Sequence, residues 1–244
     1  MKKTVYDNPD FFTNYSQMAR SQKGLEGAGE WSALEKLLPD FKEKCVLDLG
    51  CGYGWHCRYA AEHGAKKVIG VDLSKKMLQV AKEQPLYGTI TYLHEDISEV
   101  SFEENTFDIV FSSLAFHYVE SFDALVKKIN RYLKPEGQFI FSVEHPVFTA
   151  SGDQDWIYDD ENRIQHFPVD HYFEEGERLT NFLGSPVKKY HRTLTTYLET
   201  LLTTGFQINH VIEPMPPEDM MDQPGMEDEM RRPMMLIVSA EKRL

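Results

Sequence analysis

Short apolar runs, each closed by a polar or glycine-bearing break, recur along this chain with amphipathic stretches between them. Val46-Leu47-Asp48-Leu49, opened by Cys45, predicts a first strand, and Lys67-Val68-Ile69-Gly70-Val71-Asp72 a second. Residues 89–93 predict a third. The run 107–114 is almost continuously apolar, as a strand is when helices cover both faces of a parallel sheet. Residues 138–143, 206–212 and 234–240 complete a set of seven. Helices are predicted over 55–63, 75–83, 122–133 and 193–204. Ser74 caps the second of these; Pro135 and Gly137 stop the third, and Gly205 the fourth. Strands alternating with helices define an α/β fold with a mainly parallel sheet.

Three segments stand outside this rhythm. Before the first strand, Trp31, Leu34, Leu37 and Leu38 recur at helical intervals ahead of Pro39, so residues 1–39 form a helical preface. Residues 144–191 mix aromatics such as Trp156, Phe167, Tyr172 and Tyr190 with histidines and acids, and a stretch this long inside a compact domain is expected to be functional. They read as an inserted cap over a core made of residues 40–143 and 192–244. Residues 213–233 hold five prolines and five methionines in an acidic setting and predict a mobile surface loop.

Composition narrows the partners. At 244 residues the chain accommodates one large domain with an elaborated cap. A formal charge of −13 disfavours nucleic acid, whose binding relies on clustered Lys and Arg. Cys45, Cys51 and Cys57 lack C-x-x-C spacing and are expected to be reduced thiols. No apolar run has the length of a membrane span, and Met1-Lys2-Lys3-Thr4 lacks the apolar stretch of a secretory signal. The expectation is a soluble cytoplasmic protein, monomer or homodimer, with no membrane or nucleic-acid partner.

The candidate chemistry centres on Gly50-Cys51-Gly52-Tyr53-Gly54, between the first strand and the first long helix. Glycines there let a ligand lie against bare backbone at the carboxyl end of the sheet. A dinucleotide loop, G-x-G-x-x-G, would need glycine at position 55, where this chain has Trp55. Asp72 closes the second strand 22 residues beyond Gly50, where a nucleotide-binding sheet places an acid for the ribose hydroxyls, with Ser74 leaving it free of capping duty.

Asp48 with Gly50, Gly52 and Gly54 resembles motif I of the class I S-adenosylmethionine-dependent methyltransferases, small-molecule type. The resemblance covers 40–143 well and 193–240 in outline. It implies a Rossmann-like, doubly wound, seven-stranded sheet, mostly parallel with one antiparallel strand, and S-adenosylmethionine as cofactor, with S-adenosylhomocysteine as product. Asp48, Gly50, Cys51, Gly52 and Gly54 would then form the loop, and Asp72, Leu73 and Met77 the ribose side. By the same resemblance Asp96 takes the adenine amine and Ile97 offers its backbone amide, while Ser113, Leu114 and His117 close the crevice at the fourth strand. The run 14–20 is similar to the lid of such enzymes, with Tyr15 over the cofactor and Arg20 on its carboxylate. Ser113-Leu114-Ala115-Phe116 stands where members acting on bases or amides carry N-P-P-Y or D-P-P-Y, which points to a small-molecule acceptor.

The implied reaction is in-line displacement of the sulfonium methyl by a nitrogen or oxygen nucleophile, with carbon a lesser alternative. Alignment does much of this work, so no metal is expected. His145, directly after the fifth strand, and His191, where the cap returns to the core, are the candidate proton acceptors. The rival readings are an NAD(P)-dependent oxidoreductase, which Trp55 disfavours, and a non-catalytic nucleoside-binding regulatory protein.

Overall fold

The computed structural model describes residues 4–84 and 87–244. The expected N-terminal lid therefore begins, for structural purposes, at Thr4, and residues 1–3 lie outside the described residues.

Seven strands form one sheet: β1 (Cys45–Leu49), β2 (Lys67–Asp72), β3 (Ile90–His94), β4 (Phe107–Ser113), β5 (Leu133–Glu144), β10 (Phe206–Ile212) and β11 (Met235–Lys242). Between β5 and β10 lie two hairpins, β6 (Ile157–Tyr158) with β7 (Ile164–His166), and β8 (Gly176–Phe182) with β9 (Ser185–His191). The sheet order is β10-β11-β5-β4-β1-β2-β3, with β11 antiparallel to both neighbours and the pairs from β3 to β5 parallel. The order reverses between β1 and β4, and their carboxyl ends open the crevice in which such sheets hold ligands.

Side chains alternate across β1, so the strand serves two cores at once. Leu47 and Leu49 pack with Val126 and Ile129 of α6 (Phe122–Tyr132) and Leu201 of α8 (Leu194–Thr203). Val46 packs on the opposite face with Cys57 and Ala60 of α4 (Trp55–Glu62) and Leu78 of α5 (Lys75–Glu83). The helix starts follow their caps: Ser74 Oγ accepts from Met77 N at 3.1 Å and Thr193 Oγ1 from Thr196 N at 3.2 Å.

The N-terminal segment is a series of short turns rather than long helices. It holds α1 (Pro9–Ser16), α2 (Ala19–Gln22) and α3 (Trp31–Leu34), joined by 3₁₀ turns. The expected stop at Pro135-Gly137 is not a break. β5 already begins at Leu133, and the run from Phe107 to Ile109 on β4 faces that from Leu133 to Gln138 on β5. The extra residues bulge out, with Glu136 at φ 62°, so the Pro-Gly pair kinks the strand instead of ending it.

The segment 213–233 also departs from a bare loop. It contains a 3₁₀ turn at Glu218–Met220 and α9 (Met226–Glu229), and Arg232 anchors it. That buried guanidinium pairs with Glu229 at 2.8 Å and lies 4.7, 5.0 and 4.8 Å from the rings of Phe148, Trp156 and Phe167. The first of these rings belongs to α7 (Pro146–Ala150), so the Met/Pro-rich stretch is docked on the inserted segment by cation–π contact.

Candidate active site

The glycine loop is shaped by what its glycines must fit beside. A Cβ on Gly50, at φ +80°, would stand 2.3 Å from the Ala115 Cβ, so only glycine lets the segment after β4 close on the loop. Gly52, at φ +52°, has nothing within 4 Å of its missing Cβ, which leaves a bare cradle on the cavity wall. Gly50 N and Cys51 N donate to Val71 O at 2.8 and 3.0 Å, tying the loop to β2. Burial pushes the Cys51 thiol up to about 11, so it stands in the wall as a neutral thiol.

Asp72 holds the loop from the other side. Its Oδ2 accepts from Gly52 N at 2.9 Å and its Oδ1 from Ser74 N at 2.8 Å. Ser74 caps α5 as expected, but Asp72 is not left free by this, since it also accepts from two backbone N–H groups. The carboxylate still lines the cavity, with acceptor capacity left on each oxygen. Burial raises its pKa, and the two backbone donors work against that rise. Asp7 lies next to it, accepting from Ser74 Oγ at 2.8 Å and Lys76 N at 3.1 Å. Leu73 and Met77 continue this wall. Asp96, whose Oδ1 accepts from Ser98 N at 2.8 Å, and Ile97 lie on it after β3.

Ser113, Leu114 and His117 line the cavity at the end of β4. Leu114 is held at φ 51° while its N–H donates to Ser142 O at 2.9 Å, an uncommon conformation for leucine that the neighbouring strand fixes. Tyr15 and Arg20 reach the same cavity from the N-terminal segment. Arg20 Nη2 is 2.5 Å from Oε1 of Glu30, a residue only 1 % exposed, and Ser113 Oγ donates to that oxygen at 3.2 Å. Burial works against both charges, yet the pairing raises the Arg20 pKa and lowers that of Glu30, so the ion pair persists.

Two loop residues expected in the site are not in its wall. Asp48 lies beneath the loop, 2 % exposed, accepting from Cys57 Sγ at 3.2 Å. Burial pushes its carboxyl up to about 7. Gly54 starts α4, and its missing Cβ makes room for the Tyr92 hydroxyl 2.2 Å away, so its job is packing.

Both expected proton acceptors are likewise elsewhere. His145 is the N-cap of α7: its Nδ1 accepts from Val147 N at 3.0 Å, and its Nε2 is 2.8 Å from Glu213 Oε1. His191 is fully buried between Thr149 Oγ1 at 2.7 Å and Tyr172 O at 2.9 Å. Neither lines the cavity, and burial lowers both pKa values. Their ring nitrogens are engaged by the protein outside the cavity wall.

Of the polar groups that reach the far half of the cavity, His117 was expected, whereas Glu144, Tyr6 and Tyr118 were missed. Glu144, last residue of β5, accepts from Lys189 Nζ at 2.6 Å and Gln154 Nε2 at 2.8 Å. Burial would raise its carboxyl, but charge from His117 and Lys189 holds it below its ordinary value. Burial brings His117 down to about 4, so at neutral pH Lys189 is the cation that does this. His117 Nδ1 accepts from Glu144 N at 3.3 Å, which leaves the ring proton on Nε2 as a donor. Above them the Tyr6 and Tyr118 hydroxyls meet at 3.0 Å, and Phe182, Val187 and Tyr190 of the β8–β9 hairpin complete the wall. The signal for Glu144 was present in Glu144-His145-Pro146, where the strand's final side chain faces the crevice and the next residue begins a helix.

The cavity has a volume of about 990 Å³ and runs from the glycine loop to this hairpin. Bare backbone at Gly52, an acid at Asp72 and a second acid after β3, all at the carboxyl edge of a parallel sheet, fit a nucleoside. Fold and site together define a nucleoside-binding Rossmann-like class.

Within that class the chain is a class I S-adenosylmethionine-dependent methyltransferase. The methyltransferase domain profile matches residues 47–141. A solved chain from Listeria monocytogenes, assigned to the S-adenosylmethionine-dependent methyltransferases, is 56 % identical with a TM-score of 0.87, covering 91 % of this chain and 100 % of that one. An S-adenosylmethionine-dependent methyltransferase from Mesorhizobium loti is 43 % identical, with a TM-score of 0.83 over 90 % of this chain and 100 % of that one. More distant relatives match only in part. Phosphoethanolamine N-methyltransferase 3 of Arabidopsis thaliana is 32 % identical over 50 % of this chain and 25 % of its own length. Malonyl-[acyl-carrier protein] O-methyltransferase of Erwinia pyrifoliae is 40 % identical over 40 % of this chain and 36 % of its own. The cofactor is S-adenosylmethionine, and among the described residues no helix is long and apolar enough to cross a membrane.

Proposed function

We propose that this methyltransferase moves a methyl group onto a nitrogen or oxygen of a small molecule held between the glycine loop and the β8–β9 hairpin. The observation that carries this reading is the continuity of one cavity, from Gly52 and Asp72 at one end to Glu144, Tyr118 and Tyr190 at the other. In this reading residues 1–39 are the lid, 40–143 and 192–244 the cofactor-binding core, and 144–191 the acceptor cap. The partial relatives named for N- and O-methylation support both kinds of nucleophile.

The cofactor supplies a methyl group already activated by its sulfonium. The residues of this chain do the rest by placement. Asp72 and Asp96 hold the nucleoside, Arg20 meets the methionine carboxylate, and the lid and hairpin exclude water, so that a lone pair on the acceptor reaches the methyl in line. With the cofactor bound, its thioether would be the leaving group, and the proximity these residues impose would provide much of the rate. His117, a donor at Nε2, and the Tyr6–Tyr118 hydroxyl pair orient the acceptor. Glu144, a carboxylate in the same half of the cavity, receives its proton or attracts an amine.

The test is production of S-adenosylhomocysteine by the purified chain with panels of small amines, hydroxyl compounds and carboxylates. Turnover confined to one panel would identify the nucleophile. Methylation only of protein or nucleic-acid substrates would overturn the small-molecule reading.

A further inference from the structure

Among the described residues, two buried side-chain polar atoms of the cavity wall lack a hydrogen-bond partner. They are opposite in character. Glu30 Oε2 is an acceptor and Trp55 Nε1 a donor. A buried carboxylate oxygen without a donor is costly to maintain, and such atoms are normally paired in the functional state. The other oxygen of Glu30 is already satisfied twice, by Arg20 Nη2 at 2.5 Å and Ser113 Oγ at 3.2 Å. The unpaired one therefore needs a ligand donor. Arg20 holds Glu30 through Nη2 alone, and a guanidinium has five N–H donors, so this cavity-wall side chain can also bind an anion.

A site offering one carboxylate oxygen beside one guanidinium matches a zwitterion, and the cofactor carries one at its amino-acid end. We propose that Glu30 receives the α-ammonium of the cofactor's methionine moiety, as the acidic half of a buried Arg20–Glu30 clamp whose basic half takes the carboxylate. The inference rests on the cofactor lying in this cavity, and it adds a residue that no sequence motif marks. Because Ser113 joins Glu30 to the end of β4, the same clamp fastens the N-terminal segment to the sheet when the amino acid is seated.

Calorimetry on the full chain tests this with three ligands: S-adenosylhomocysteine, its analogue lacking the α-amino group, and 5′-methylthioadenosine. The wild type should prefer S-adenosylhomocysteine to the deaminated analogue by at least tenfold. Glu30→Gln should weaken S-adenosylhomocysteine at least tenfold while leaving the deaminated analogue and methylthioadenosine as they were. Equal weakening of S-adenosylhomocysteine and its deaminated analogue would mean that Glu30 only positions Arg20, and unchanged affinity would remove it from the site; either overturns the proposal. If the variant does not fold, the wild-type preference decides, since equal affinity for the two homocysteine ligands contradicts an ammonium contact. Failure of methylthioadenosine to bind the wild type would instead take the nucleoside out of the cavity, and this inference with it.

Discussion

At the scale of single residues, two aspartates 24 positions apart have opposite tasks. Asp72 faces the cavity and keeps acceptor capacity beside its bonds to Gly52 N and Ser74 N. Asp72→Ala should weaken S-adenosylhomocysteine at least tenfold, about 1.4 kcal/mol. Loosening of the loop could mimic that loss, so the decisive comparison is with the 2′-deoxy ligand. Wild type should discriminate against it and the variant should not; equal discrimination by both would separate Asp72 from the ribose. Asp48 lies beneath the loop, outside the cavity wall, and its carboxyl is raised to about 7 by burial. An acid whose folded pKa lies above its unfolded value weakens the fold as pH rises between the two, here from about 4 to about 7. At about 1.4 kcal/mol per pH unit, the loss approaches about 4 kcal/mol at and above pH 7. Asp48→Asn should therefore gain stability relative to wild type on going from pH 5 to pH 8 in urea unfolding. A difference independent of pH would show that Asp48 is ionised throughout.

At the scale of elements, the join between core and cap is a buried charge pair. Glu144 ends β5 and Lys189 lies on β9, with the Lys189 side chain 3 % exposed and the two groups 2.6 Å apart. Removing one partner of such a pair leaves the other charge uncompensated, which costs about 3–5 kcal/mol, whereas removing both is far milder. Lys189→Met should lower the unfolding midpoint sharply, and Glu144→Gln with Lys189→Met should restore most of it; an additive double variant would deny the pairing. Nothing in the sequence announces this contact, because its partners are 45 residues apart and neither sits in a motif. Where the signal is local, the reading is close. β2 and α5 were predicted to the residue, since Asp72 ends an apolar run and Ser74 caps a clear amphipathic helix. The start of β5 was missed because Pro135 and Gly137 stop a helix and bulge a strand equally well. That His145 and His191 lie outside the cavity wall was hidden for a related reason: the sequence shows an imidazole but not that Val147 N and Tyr172 O already occupy it.

For the whole molecule, the cavity wall is assembled from parts that are distant in sequence: the N-terminal segment, the carboxyl edges of β1 to β5, the β8–β9 hairpin, and Met234 and Met235 at the start of β11. The seven strands were legible because each carries its own apolar pattern, and the one reversed strand was implied by the family resemblance, while the closure of these outer parts over the crevice depends on tertiary contacts alone. A ligand that touches all of them stabilises the folded chain as a unit, since the unfolded chain has no such site. At one hundred times its dissociation constant, S-adenosylhomocysteine contributes about 2.7 kcal/mol. For a domain of this size each kcal/mol raises the midpoint by about 2–4 °C, so thermal unfolding should shift upward by about 5–10 °C. NADH at the same concentration should produce no shift, because Trp55 stands where the dinucleotide loop requires glycine. A shift with NADH and none with S-adenosylhomocysteine would mean that the crevice holds a dinucleotide, despite the glycine spacing at Gly50, Gly52 and Gly54.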